Sequence, residues 1–161
     1  MSSCIFSIYA EKIEDRYVSR TVPDGLLFFI CPFELPNCQK MPAAELDITY
    51  LVTNDTLTLN MSVYLSSIIS LDSIKFTCYT NKTIANFETF YIDKKKKRYV
   101  HRYSCKLPYK FWVDCYNSDK PFLMSLYAGD NCLDYGFSAK EWSNECGWMR
   151  QVLEIINRNK K

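Results

Sequence analysis

Apolar and polar positions alternate in short runs from about residue 25 to residue 135, each run set off from the next by a turn-rich stretch. That rhythm predicts antiparallel strands, because successive side chains on a strand point to opposite faces. Strands are expected over residues 26–31, 47–52, 57–64, 73–80, 88–92, 99–105, 111–116 and 122–127. The cleanest alternation puts Leu57, Leu59, Met61, Val63 and Leu65 on one face, which is read as core. Beyond residue 138 the period changes. Trp142, Cys146, Met149, Val152, Leu153 and Ile156 recur at three- and four-residue spacing, the stripe of an amphipathic helix over about 140–157. Its start carries a capping box from Ser138 to Glu141, with Phe137 and Trp142 placed as a hydrophobic staple.

These elements define an all-β chain, an immunoglobulin-like antiparallel β-sandwich with a C-terminal amphipathic α-helix. Three parts are expected: an N-terminal extension over 1–24, the sandwich over 25–137, and the helix over 138–161, packed on the sandwich or on a partner. With 161 residues, 48% of them hydrophobic, the chain is long enough to bury one substantial core. A net charge of +2 argues against a general polyanion binder, so nucleic acid is not an expected partner. No apolar run approaches the roughly 20 residues of a membrane-spanning helix, and no membrane role is expected. The first twenty residues hold no continuous apolar stretch of the secretory kind, which points to a cytoplasmic protein, with the nucleus as the alternative. In such a compartment the eight cysteines are read as free thiols.

Candidate chemistry is sparse. Lys94, Lys95, Lys96, Lys97 and Arg98 form the one dense basic run, between two aromatic segments that read as strands, so it is expected at a hairpin tip. His101 is the only histidine and the only obvious general base near neutral pH. No paired carboxylates, glycine-rich phosphate loop or serine elbow stands out, and neither cofactor nor metal is expected. Twelve tyrosines and three tryptophans leave aromatic surface to spare as platforms for sugars or peptide anchors.

The middle of the chain resembles family 21 carbohydrate-binding modules. Residues 62–77 look like the family segment in which one strand turns into the next, with Ile74, Lys75, Phe76 and Thr77 on the second strand. Residues 98–108 are similar to the family's strand ending in Leu-Pro, here Leu107 and Pro108; residues 122–127 and Phe29 to Pro32 resemble two further segments. The resemblance implies an immunoglobulin-like sandwich that binds glycogen or starch, as in glycogen-targeting subunits of protein phosphatase 1. It also implies that Tyr79, Asn81, Lys82, Asp134 and Tyr135 sit where a glycan or a partner binds. The family's sugar-stacking tryptophans are not retained: one falls on Asn81, and the other lies in a motif of which residues 132–136 keep only Asp134. The expected function is therefore a non-catalytic binding or adaptor module engaging a protein partner, with retained glucan binding as the alternative. Two further alternatives are a poxvirus-type host-range β-sandwich, similar in length and strand density alone, and a cysteine-dependent enzyme using His101.

Overall fold

A computed structural model describes residues 12–79 and 81–160. Cys4 and Thr80, and the first part of the expected extension, lie outside the described residues.

Among the described residues, ten strands form two antiparallel sheets that share one core. The larger holds β1 (Tyr17–Val22), β2 (Gly25–Leu35), β3 (Ala44–Leu51), β4 (Thr56–Leu65), β7 (Phe87–Lys95) and β8 (Arg98–Pro108), in the order β1-β2-β3-β4-β8-β7. The smaller holds β5 (Ser73–Cys78), β6 (Asn81–Ala85), β9 (Leu123–Ala128) and β10 (Asn131–Gly136), in the order β10-β9-β5-β6. The expected sandwich is what the chain adopts. Leu57, Leu59, Met61, Val63 and Leu65 all face inward, as their alternation predicts. Ile74, Phe76, Met124, Leu126 and Tyr135 meet them from the smaller sheet. Residues 17–22, in the expected extension, form β1 and pair with β2 along its length.

One expected strand is a helix. Residues 111–116 lie within α1 (Tyr109–Asn117), which buries Tyr109, Phe111, Trp112, Cys115 and Tyr116. Those positions form a single stripe at helical spacing, whereas a strand would put Trp112 and Cys115 on opposite faces. Pro108, whose φ is −57°, ends the ladder of β8 and opens the turn into α1.

The second helix, α2 (Ala139–Arg158), buries the six apolar residues of its stripe. Its capping box forms as expected: Ser138 Oγ accepts from the Glu141 amide at 3.3 Å, and Glu141 Oε2 accepts from the Ser138 amide at 2.8 Å. Phe137 and Trp142 meet with ring centroids 5.9 Å apart, the expected staple. Ser138→Ala leaves the Glu141 amide without its cap and is expected to lower the unfolding free energy by about 1 kcal/mol, measured by urea titration.

The lysine run sits at the β7–β8 hairpin tip. Lys95 pairs with Arg98, and the turn narrows to Lys96 and Lys97, with Lys96 in the left-handed region at φ +59°. Strand β7 thus runs further than expected and carries Asp93, Lys94 and Lys95 within it.

Candidate functional site: an open rim and a polar cleft

Strands β6 and β7 are consecutive, joined by Asn86 alone, and each ends its own sheet. Together they form one rim of the sandwich. The smaller sheet stops at β6, so among the described residues no strand covers the inner face of β7, and every residue from Glu88 to Lys95 is exposed. Apolar side chains stand in the open there: Ile84 is 71% exposed, Phe90 58%, Tyr91 52% and Ile92 37%. A bulge between Thr89 and Tyr91 leaves Phe90 unpaired with β8 and turns its ring outward. At the start of β7 lies a groove of about 580 Å³, lined by Ile84, Phe87, Glu88, Lys106 and others. Lys94, Lys95, Lys96, Lys97 and Arg98 lie exposed at the strand's far end.

The rest of the larger sheet's outer face is built differently. Arg102 of β8 pairs with Asp47 of β3 and donates to Ser62 Oγ at 2.9 Å, while Asn60 Nδ2 donates to Asp47 Oδ1 at 2.8 Å. Tyr64 donates to Glu45 Oε1 at 2.7 Å. These bonds tie β3, β4 and β8 together, as cross-strand ladders do.

A second feature lies at the turn between β5 and β6. Tyr79 holds φ at +51°, a left-handed conformation uncommon for a side chain of its size, and its ring is largely exposed. Lys120 Nζ stands 4.8 Å from the ring centroid. Tyr79 and Asn81 line a cleft of about 510 Å³ with Asp114, Asn117, Asp119 and Lys120. Lys82 lines the neighbouring hollow with Lys110 and Asp114. The structure thus gathers Tyr79, Asn81 and Lys82 around one end of the smaller sheet.

Asp134 and Tyr135 are placed elsewhere, on β10 at the opposite edge of that sheet, with β9 and β5 between them and β6. Asp134 Oδ1 accepts from Ser125 Oγ at 2.6 Å, and Tyr135 is fully buried in the core. The cleft's Asp114, Asn117, Asp119 and Lys120 were not anticipated. Asn117, Ser118, Asp119 and Lys120 form a polar turn in the sequence, and that run is the signal that marks them.

His101 is fully buried. Its Nε2 stands 3.2 Å from the Ser67 carbonyl, which only accepts, so that nitrogen carries the proton and Nδ1 accepts from Tyr103 Oη at 3.1 Å. Burial holds the imidazole below its ordinary value of 6.5, with the Ser67 carbonyl opposing in part. The unfolded chain therefore takes up a proton below pH 6.5 that the folded chain refuses. Stability is expected to fall as the pH drops from 6.5 to 5.5, by up to about 1.4 kcal/mol per unit, and the His101→Gln variant should lose that component.

Burial also raises the thiols, Cys105 to about 12 and Cys146 to about 11. The seven described cysteines are unpaired. Among the described residues no group of His, Cys, Asp or Glu side chains is arranged to hold a metal ion, and no helix is long and apolar enough to cross a membrane. Comparison with protein-family models, curated proteins and solved structures finds no match to this chain.

Proposed function

We propose that this chain is a non-catalytic binding or adaptor module that engages a protein partner along the β6–β7 rim. The observation that carries the reading is the exposure of Ile84, Phe90, Tyr91 and Ile92 on strands that each end a sheet. Exposed apolar side chains on both faces of an open edge strand mark a surface that binds, since a strand edge left open and apolar otherwise invites aggregation. Placement of the chemical groups supports a binder over an enzyme: His101 hydrogen-bonds the Ser67 carbonyl and Tyr103, not a thiol. Unpaired thiols support a reducing, cytoplasmic setting.

A displayed peptide library selected on the intact protein, with counter-selection on a variant carrying Phe90→Lys and Ile92→Lys, tests the reading. Enriched sequences that bind the wild type and not the variant are expected. Enriched sequences that bind both alike would move the binding surface away from this rim.

A second reading, retained glucan binding in a degenerate carbohydrate-binding module, is favoured by the Tyr79 cleft. An exposed ring flanked by Asn81, Asp114, Asn117 and Asp119 offers one stacking face and several hydrogen-bonding groups to a sugar. Co-sedimentation with insoluble glycogen that is abolished by Tyr79→Ala would support it; no co-sedimentation at high protein concentration would remove it.

A further inference from the structure

We infer that the β6–β7 rim takes an extended acidic segment of a partner protein as an added strand, antiparallel to β7. The inference rests on the proposed binding role of the rim and names the chemistry of what binds there. Strand β7 spends one side of its backbone on β8, and its other side presents amides and carbonyls with no neighbouring strand among the described residues. It holds no proline from Phe87 to Lys95, so every residue keeps its backbone donor, and of these the Lys94 amide is engaged by Asp93 Oδ1 at 2.7 Å. An extended peptide satisfies such an edge with main-chain hydrogen bonds, while alternate side chains find the neighbouring apolar groups. Phe90, Tyr91 and Ile92 supply those groups here, Tyr91 on the outer face beside Arg102 and Ile92 on the inner face beside His101, and a groove lined by Ile84 and Phe87 lies at the strand's start.

Charge sets the partner's composition. Between Phe87 and Arg98 the chain carries five cations against two carboxylates, Glu88 and Asp93, and the cations all lie at the tip end. In an antiparallel arrangement the start of the added strand lies against that tip. The partner segment is therefore acidic first and apolar afterwards, with β-branched or aromatic residues reaching Phe90 and Ile92. A second copy of this chain fits the charges less well. Symmetric pairing about Tyr91 would set Lys94 opposite Glu88, but would leave Lys95, Lys96, Lys97 and Arg98 with no carboxylate to meet. Nucleic acid would satisfy the cations and leave the apolar side chains and the open backbone unused.

The test uses intact protein and a short fluorescein-labelled peptide, EEDEGTVTFVT, followed by fluorescence anisotropy at low and at physiological ionic strength. Saturable, salt-sensitive binding is expected. Methylating alternate amide nitrogens of the peptide's apolar half should weaken it by about tenfold or more, since those amides can no longer pair. Reversing the peptide's order, or changing Lys94, Lys95, Lys96 and Lys97 to Glu, should each cost about tenfold. Equal affinity of the parent, methylated and reversed peptides, or no binding of the parent peptide, overturns strand addition while leaving the rim as a binding surface. Displacement of the peptide by a single-stranded oligonucleotide, or a dimer in sedimentation that Phe90→Lys dissociates, overturns the choice of occupant. Undiminished peptide binding to the Phe90→Lys, Ile92→Lys variant would remove both the inference and the proposed rim.

Discussion

Replacing Trp112 with alanine will lower the unfolding free energy by about 3–5 kcal/mol, a large share of the 5–15 kcal/mol typical of a domain. Trp112 is 1% exposed and lies where α1, α2 and the smaller sheet converge. Its ring centroid stands 5.0 Å from that of Tyr116 and 5.5 Å from that of Phe122, and those rings in turn meet Trp142 and Phe137. Truncation would remove the centre of this cluster and open a cavity that the surrounding helices and strands cannot fully close. Trp112→Phe should cost much less, under about 1.5 kcal/mol, because it keeps an aromatic ring and deletes a donor. The Nε1 it removes is buried with no hydrogen-bond partner among the described residues. Guanidinium titration followed by circular dichroism measures both. An alanine variant within about 1 kcal/mol of the wild type would mean that α1 does not close the core as described.

The second large effect concerns binding. Phe90→Lys together with Ile92→Lys is expected to weaken partner binding by about thirtyfold or more, the loss of at least one anchoring side chain, with stability changed by under about 1 kcal/mol. The two changes separate because Phe90 and Ile92 are exposed and belong to an edge strand, so the core does not feel them. Melting curves and peptide titrations on the same samples measure the pair. A variant that loses binding only in proportion to lost folding would point to a structural role for these side chains.

Much of the fold is legible in the sequence, and the exceptions have physical causes. Strand β4 alternates without interruption, and the start of α2 is written in Ser138, Glu141, Phe137 and Trp142, whose local bonds form whatever the tertiary context. The segment Phe111, Trp112, Val113, Asp114, Cys115, Tyr116 is rich in strand-favouring residues, and only the burial stripe of the folded chain settles it as helix. Strand β6 carries no period, because an edge strand with exposed Asn81, Lys82 and Ile84 has little face to bury. Residues 131–136 do alternate: Tyr135 points inward and Cys132 and Asp134 outward. The alternation separates the site residues assigned to that strand.

The candidate rim is the least legible feature. Phe90, Tyr91 and Ile92 read like core in any local window, and so does Phe87, which packs edge-on against Tyr103 with centroids 5.7 Å apart. What exposes Ile92 is the difference in width between the two sheets, and Tyr91 faces outward beside Arg102, placements set by the topology and register and not by any short stretch of sequence. The basic run is the reverse case. The sequence places it at a hairpin tip, and the register of β7 and β8 puts it there, at the end of β7.

Amide hydrogen exchange of the intact protein, with and without a peptide selected to bind it, tests the rim most directly. Exchange slowed along Phe87–Lys95, with Tyr79, Asn81 and the amides of α2 unchanged, is the result expected of a partner seated on β7. Protection confined to the Tyr79 cleft or to α2, with β7 exchanging as in the free protein, would contradict it.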